Sequence, residues 1–298
     1  MADYNLEKLF DDLLKKKKFD KEHSYTSTLL TNKNLLAKKI GEESIEVILE
    51  YLDNNKNKII NNKIIFLFYG IGCCSDDFKF LFNSLGPKFN LYIVELPGHN
   101  GIKYSDSDLY SFSKMIYLFL KKKNIKEITF FAHSLGGIIP IILVKNFIKK
   151  KKLISNFINY EGNLTKYDTE TLTKKTISYD KNDFIRNKFN NLLKKTESSK
   201  NRFLISWSQS LKKTSPSIFY DLSEQCVKLS NSNELLNFFK TFFKEKVYIF
   251  GEKTQLKVPK YIFGSVRYKI KNSGHFAFFE SKLDFSRIFR KLLLKKYK

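Results

Sequence analysis

The sequence predicts an α/β domain in which helices cover both faces of a mostly parallel β-sheet. From about residue 59 onward, short apolar runs alternate with amphipathic stretches. This alternation is typical of repeated strand–helix units, which build a parallel sheet. The chain has 298 residues, of which 42% are hydrophobic, so it can fill the core of one large domain and carry an appendage.

The individual elements follow from the same pattern. Six strands are predicted at Ile64–Tyr69, Leu91–Glu95, Ile128–Ala132, Phe157–Tyr160, Val247–Phe250 and Val266–Ile270, and two helices at Leu109–Lys121 and Leu135–Lys149. Between about residues 165 and 243 the alternation stops, and the sequence is polar with a helical pattern. We therefore predict a helical cap, inserted over the sheet of a domain that spans residues 59–298.

Residues 1–58 are predicted to form a separate, short helical segment. Leucine and phenylalanine recur at helical spacing in its first part, and a second helix is predicted from about Asn34 to Leu52. The polar stretch Asp53–Lys58 marks the boundary with the larger domain. A second copy of the chain could cover the apolar stripes of these helices, so a homodimer is one expectation.

Charge and cysteine content restrict the partners and the compartment. The formal net charge is +24, but nearly all of it comes from lysine, and there are only five arginines. Arginine is preferred for contacts with phosphates and bases, so we expect no nucleic-acid partner. No apolar run approaches the ~20 residues of a membrane span, and the N-terminus lacks the apolar stretch of a signal peptide, so we expect neither. With Cys73 and Cys74 adjacent and Cys226 distant, a cytoplasmic protein is expected.

The strongest chemical signal is a serine placed where a strand meets a helix. The segment Ala132-His133-Ser134-Leu135-Gly136 has a small residue two positions before the serine and another two positions after it. Such spacing lets a strand and a helix approach closely while a tight turn lifts the serine hydroxyl into a cleft. Ser134 is therefore the candidate nucleophile.

Two further segments complete a candidate catalytic site. His275 lies in Ser273-Gly274-His275, after the last predicted strand, and a histidine has a suitable pKa for a general base. Glycines surround Ile71 after the first strand, where backbone N–H groups can point at a developing oxyanion. We assign the predicted oxyanion hole to the amides of Ile71 and Leu135.

Together these segments resemble the α/β-hydrolase superfamily over residues 60–298. Leu96-Pro97-Gly98-His99 also resembles the loop that this superfamily carries after its next strand. The resemblance implies a serine hydrolase that acts on an ester-like substrate, a carboxylic ester or a thioester, through an acyl-enzyme. It also implies that His99 and His133 are structural.

The catalytic acid is the point at which the sequence departs from the family. The resemblance places an aspartate before the histidine strand, but Thr254 stands at the expected position. Glu252 is close by and is the first choice for orienting His275. Glu161, after the preceding strand, is the alternative. Without an acid, the protein would be a slow enzyme or a non-catalytic protein with a hydrolase fold.

The N-terminal segment resembles a different enzyme. Ser24-Tyr25-Thr26 and the stretch from Ala37 to Val47 are similar to phosphoribosyl-ATP pyrophosphohydrolase, a Mg²⁺-dependent enzyme of histidine biosynthesis. Glu43, Glu46 and Glu50 share one helix face, which could hold Mg²⁺ against a pyrophosphate. The second acidic helix of that family is absent, so we expect a gene fusion of its front half with a hydrolase, without pyrophosphohydrolase activity.

The sequence therefore predicts a hydrolase that needs no cofactor, with Mg²⁺ required only if the N-terminal segment is active. Aromatic residues in the predicted cap, among them Phe203 and Trp207, suggest a small-molecule substrate with an apolar portion, and packing in the core would explain them equally well. The alternatives are the pyrophosphohydrolase and a non-catalytic protein. Which ester is cleaved does not follow from these residues, because one fold serves many reactions.

Overall fold

The computed structural model describes residues 63–85, 89–102, 107–257, 262 and 266–294. The predictions for residues 1–58 lie outside these ranges. They include the two N-terminal helices, the boundary at Asp53–Lys58 and the acidic face of Glu43, Glu46 and Glu50.

A six-stranded sheet forms the centre of the described region. Its strands are β1 (Lys63–Phe68), β2 (Phe89–Val94), β3 (Ile128–His133), β4 (Ile154–Tyr160), β5 (Lys246–Gly251) and β6 (Val266–Ile270). The strand order is β2-β1-β3-β4-β5-β6, and all five pairings are parallel. The predicted parallel sheet is confirmed, with each strand found where its apolar run stands.

The strand order creates a crevice at one place in the sheet. The chain passes from β1 to β2 on one side, and β3 then returns to the other side of β1. At such a switch point, the loops after the two central strands leave in opposite directions. Ligands of open α/β sheets bind in the crevice that results, outside the carboxyl ends of the strands.

Helices cover both faces of this sheet. They are α1 (Phe80–Leu85), α2 (Leu109–Lys122), α3 (Ile138–Asn146), α4 (Thr173–Ile177), α5 (Lys181–Asp183), α6 (Phe189–Glu197), α7 (Arg202–Leu211), α8 (Pro216–Ser230), α9 (Glu234–Thr241), α10 (Ala277–Glu280) and α11 (Lys282–Leu294). The ring of Phe66 in β1 contacts Phe119 of α2 on one face, and Phe131 in β3 contacts Phe289 of α11 on the other. No helix within the described residues combines the length and the apolar composition that crossing a membrane requires.

The helix predicted at Leu135–Lys149 is shorter in the structure. Ser134–Gly137 forms a 3₁₀ turn, and α3 begins only at Ile138. Pro140 has no N–H to donate to the carbonyl of Gly136, so an α-helix that began at Leu135 would lose one of its first hydrogen bonds. The 3₁₀ turn therefore places Ser134 where the extended backbone of β3 changes to helical backbone.

Helices also fill the long connection between β4 and β5, where a cap was predicted. The segments α5 and α6 run on through a π-helical stretch at Phe184–Lys188. The last helix, α9, packs against α3 beside the sheet, and Lys145 pairs with Glu234 at 2.5 Å. Helix α7 instead reaches the loop after β1, where the Ser210 hydroxyl donates to Asp77 at 2.7 Å. This contact ties the inserted helices to the crevice.

Candidate active site

The predicted site residues lie at the carboxyl edge of the sheet, in the loops that follow four strands. Ile71 follows β1, Ser134 follows β3, Glu161 follows β4 and His275 follows β6. Strands β1 and β3 flank the switch point. The chain therefore places its candidate residues where parallel α/β sheets bind ligands.

Ser134 occupies a strained turn. Its φ is +53°, in the left-handed region that non-glycine residues rarely adopt. Gly136 makes this turn feasible, because a Cβ at that position would lie 2.4 Å from the carbonyl oxygen of Phe68. The elbow therefore packs directly against the end of β1. A Cβ on Gly70 would lie 2.7 Å from the Cβ of Ser134, so the loop after β1 borders the serine.

His275 is held beside this elbow through its backbone. The ring of His133 lies 4.6 Å from the ring of His275, and its Nε2–H donates to the His275 carbonyl at 2.9 Å. Tyr160 at the end of β4 fixes the same loop on both sides of the histidine. Its hydroxyl donates to the carbonyl of Gly274 at 2.6 Å and accepts from the amide of Ala277 at 2.8 Å.

The side chain of His275 pairs with Glu161. Its Nδ1 lies 2.7 Å from Oε2 of Glu161, whose side chain is only 10% exposed. The other carboxylate oxygen accepts from the Gly251 amide at 2.8 Å and from the Thr254 hydroxyl. Burial alone would raise the pKa of Glu161. The hydrogen bond and the charge of His275, with the bonds from Thr254 and Gly251, instead hold that pKa below its usual value.

Glu252, the first choice for the acid, lies elsewhere. Its carboxylate pairs with Lys269 at 3.2 Å and accepts from the Asn272 amide at 3.0 Å, with its side chain 40% exposed. The structure therefore brings the alternative, Glu161, to His275 and leaves Glu252 at the surface. Thr254, at the position where the family carries an aspartate, donates its hydroxyl to Glu161.

Backbone strain singles out the same residues. Among the described residues, five other than glycine have positive φ, and three of these are asparagines, which tolerate that conformation. The remaining two are Ser134 at +53° and Glu161 at +43°. A left-handed conformation costs about 1–2 kcal/mol at each such residue. Strain of this kind persists where the surrounding structure imposes it, and it is concentrated at functional sites.

The predicted oxyanion amides belong to Leu135, which follows the serine, and to Ile71, which follows Gly70 in the loop that borders the serine. Leu135 is in the first turn of the 3₁₀ helix, where N–H groups lack an intrahelical partner. The loop of Ile71 is fixed by His99, whose Nε2 accepts from the Gly72 amide at 2.9 Å while its Nδ1–H donates to the Pro97 carbonyl at 2.8 Å. Burial lowers the pKa of His99 to about 4, so the ring stays neutral and keeps accepting.

Not every contact of a working site is formed. Within the described residues, the Ser134 hydroxyl makes no hydrogen bond to His275. Catalytic hydrogen bonds are often long in enzymes without substrate and shorten when the substrate binds. His133, by contrast, is almost completely buried. Burial, and to a lesser degree the neighbouring His275, lowers the pKa of His133 well below its usual value.

Sequence reasoning missed the supporting residues of the site. Tyr160 anchors the histidine loop, and Thr254 binds the buried carboxylate. The sequence offered one signal, since Thr254 stands where the family carries its acid. Cys73, Cys74 and Cys226 are buried free thiols. The described part of the chain contains no group of three histidine, cysteine or acidic side chains that could hold a metal ion.

Solved structures with the same architecture are numerous. MenH from S. aureus superposes with a TM-score of 0.63 at 16% sequence identity, over 79% of this chain and 95% of that one. A carboxylesterase of the thaumarchaeon Nitrososphaera gargenis gives 0.59 at 16% identity, over 78% and 90%. An esterase from Exiguobacterium antarcticum gives 0.59 at 13% identity, over 79% and 94%. The chain has the α/β-hydrolase fold. No family model matches the sequence.

Curated sequences match only a short part of the chain. Phosphoribosyl-ATP pyrophosphatases of Streptococcus gordonii and Streptococcus sanguinis are each 41% identical over 66 residues. The match covers 22% of this chain and 62% of each of those proteins, so the chain spans less than two thirds of their length. The predicted N-terminal resemblance is thus confirmed as a partial one.

Proposed function

We propose that the α/β-hydrolase domain cleaves a carboxylic ester or a thioester through an acyl-enzyme on Ser134. In this proposal His275 is the general base and Glu161 the acid that orients it. The amides of Ile71 and Leu135 hold the oxyanion. All the groups are side chains and backbone amides of this chain, so the reaction needs no cofactor.

The proposed reaction has two halves. The Ser134 hydroxyl attacks the carbonyl carbon while Nε2 of His275 takes its proton, and the carbonyl oxygen becomes an oxyanion. His275 then gives the proton to the departing alcohol or thiol. Water attacks the acyl-enzyme with the same help from His275, and the acid leaves as Ser134 regains its proton.

One observation carries this proposal: a buried, left-handed glutamate is bonded to the histidine next to a left-handed serine. The bond of Glu161 to Nδ1 of His275 leaves Nε2 as the nitrogen that can face a substrate. The negative carboxylate stabilises the imidazolium that forms when the serine proton is taken. An ion pair in a purely structural role would not require strain at the adjoining serine.

Aromatic side chains beside His275 support an apolar substrate. Phe276 stacks on Phe203 at 5.7 Å between ring centroids and lies 5.6 Å from Trp207. Phe279 packs against the other side of Phe276 at 6.0 Å. Three of these rings are half-buried and only Trp207 is fully buried. We propose that the exposed parts of this cluster receive the apolar portion of the substrate.

Labelling with a fluorophosphonate probe tests the proposed nucleophile directly. The folded protein should react with the probe at Ser134, whereas Ser134→Ala and heat-denatured protein should not. Ser210 offers a matched control, because its hydroxyl lies at the crevice and donates a hydrogen bond to Asp77. Ser210→Ala should therefore label like the wild type. Unlabelled folded protein, or labelling that survives Ser134→Ala, would overturn the proposal.

The N-terminal match favours a second candidate function. The curated relatives are phosphoribosyl-ATP pyrophosphatases, and the acidic face predicted from the sequence for Glu43, Glu46 and Glu50 is the part of this chain that could bind Mg²⁺. We propose that this activity is absent, because the sequence lacks the second acidic pair. Magnesium-dependent release of pyrophosphate from phosphoribosyl-ATP, lost in Glu46→Gln, would show the opposite.

A further inference from the structure

Trp207 lies between the two loops that the proposed reaction uses. It stands on α7, one of the helices inserted between β4 and β5, and only 3% of it is exposed. A Cβ built on Gly72 would lie 2.9 Å from both Nε1 and Cζ2 of its indole. The indole therefore sits against the oxyanion loop, one residue beyond Ile71.

The indole also contacts the loop that carries His275. Its ring lies 5.6 Å from that of Phe276, the residue after His275. A carbonyl group held between Ser134 and the amide of Ile71 would therefore have the indole edge beside it. The leaving group must depart towards His275, which donates its proton, so the acyl chain is the part that passes the Gly72 side.

The indole N–H is an unused donor. Nε1 is buried and has no hydrogen-bond partner among the described residues. Buried donors are normally satisfied, and one left without an acceptor is unfavourable. An apolar side chain at position 207, such as phenylalanine, would bury no donor beside Gly72 and would avoid this unfavourable free energy. Tryptophan in a purely packing role usually finds a partner for its N–H.

We propose that the N–H of Trp207 binds an acceptor oxygen on the acyl chain of the substrate, close to the scissile carbonyl. The preferred substrates are then acyl esters or thioesters with an ether, keto or hydroxyl oxygen near that carbonyl. Plain alkanoyl esters are accepted less well. This inference rests on the proposed ester hydrolysis and makes Trp207 a specificity-determining residue.

Matched ester pairs test the inference. Para-nitrophenyl methoxyacetate and para-nitrophenyl butanoate differ only by an oxygen in place of a methylene, and para-nitrophenyl β-methoxypropanoate and pentanoate repeat the pair one position further on. Trp207→Phe should lower kcat/KM for the oxygen-containing member of one pair roughly 2- to 10-fold more than for its partner, the range expected for one hydrogen bond. Comparing the two enzymes cancels the different intrinsic reactivity of the esters.

Phe203→Leu provides the matched control variant. Phe203 lies on the same helix and stacks on Phe276 but has no N–H, so its loss should change both members of a pair by the same factor. An equal effect of Trp207→Phe on both members of both pairs, in an enzyme that hydrolyses them, would overturn the inference alone. If the wild type hydrolyses none of the four esters, the proposed function fails and this inference fails with it.

A second measurement does not depend on the folding of the Trp207 variant. Trp207 is the only tryptophan of the chain, so tryptophan fluorescence reports on it alone. In the Ser134→Ala protein, para-nitrophenyl methoxyacetate should shift the emission saturably and more than the butanoate does. A hydrogen bond to the indole would be contradicted if neither oxygen-containing ester shifted the emission more than its alkanoyl partner does, for a wild type that turns these esters over.

Discussion

Two neighbouring strands of the sheet each end in a glutamate, and the two glutamates have different environments. Glu161 directly follows β4, and Glu252 directly follows β5. The first is buried in a left-handed turn and bonded to His275, whereas the second is 40% exposed and pairs with Lys269. The comparison teaches that backbone conformation, rather than order along the chain, decides which carboxylate reaches the histidine.

The turn after β5 still contributes to the site. It supplies hydrogen-bond donors in place of a carboxylate, through the amide of Gly251 and the hydroxyl of Thr254. Both bond to the same oxygen of Glu161 and leave the other oxygen for His275. One turn thus provides the negative charge, and its neighbour satisfies the part of that charge that the histidine does not use.

The largest expected effect comes from removing each glutamate charge in turn. Glu161→Gln should lower kcat for ester hydrolysis by about 10³- to 10⁴-fold, because the amide can neither fix the histidine tautomer nor stabilise the imidazolium. Glu252→Gln should stay within about twofold of the wild type, since an exposed ion pair contributes little. Steady-state kinetics on one para-nitrophenyl ester measures both.

A reversed result would break the comparison. If Glu252→Gln, and not Glu161→Gln, were the variant with the large loss in kcat, the contact between Glu161 and His275 would be structural only. Circular dichroism of both variants is the necessary control, because Glu161 is buried and bonded to the end of β5 and to the histidine loop.

The fold was largely predictable because its signals are local. Each strand is a short apolar run, and each of the six runs predicted to be strands forms a parallel strand, since burial on both faces demands continuous apolar character. Ser134 and His275 could be proposed as site residues from equally local signals, because each follows a strand and stands beside small residues. The predicted helix Leu135–Lys149 is longer than the observed one at both ends, and at its start Pro140 lacks the N–H that an earlier turn of α-helix would use.

The carboxylate that pairs with His275 was not predictable by the same means. Both glutamates follow apolar strands, and the sequence does not show that Glu161 adopts a positive φ, which is rare for its residue type. Its partners are 90 and 93 residues away in the chain, at Gly251 and Thr254. Contacts of that separation depend on strand order, which the sequence pattern leaves open. The contacts of Tyr160 with the histidine loop could not be predicted for the same reason.

A smaller effect should follow from changing the donor that replaces the family's aspartate. Thr254→Val removes the hydroxyl bonded to Glu161 while keeping the shape of the side chain. The expected loss in kcat is about tenfold, as for one hydrogen bond to a charged group. Thr254→Ser retains the hydroxyl and is the matched control, with a rate near that of the wild type. Similar losses in both variants would mean that packing at this position matters rather than the bond.

The smallest effect concerns stability in acid. The contacts of Glu161 hold its pKa below the usual value, so its ionised form stabilises the fold above the pKa of an unfolded glutamate. This contribution is lost as the pH falls below about 4.5 and through the lowered pKa of the folded state. Urea unfolding at a series of pH values should show the wild type as more stable than Glu161→Gln at pH 7.

The difference between the two proteins should then close in acid. A protonated carboxyl group has nearly the shape and hydrogen-bonding capacity of the glutamine amide, so the two unfolding curves should converge once Glu161 is neutral. Glu252→Gln, measured in parallel, should follow the wild type at every pH, because the exposed carboxylate is screened by solvent. A gap between the wild type and Glu161→Gln that stays constant down to low pH would mean that the charge of Glu161 is not what stabilises the fold. The packing of its buried side chain would then be what holds the ends of β4 and β5 together.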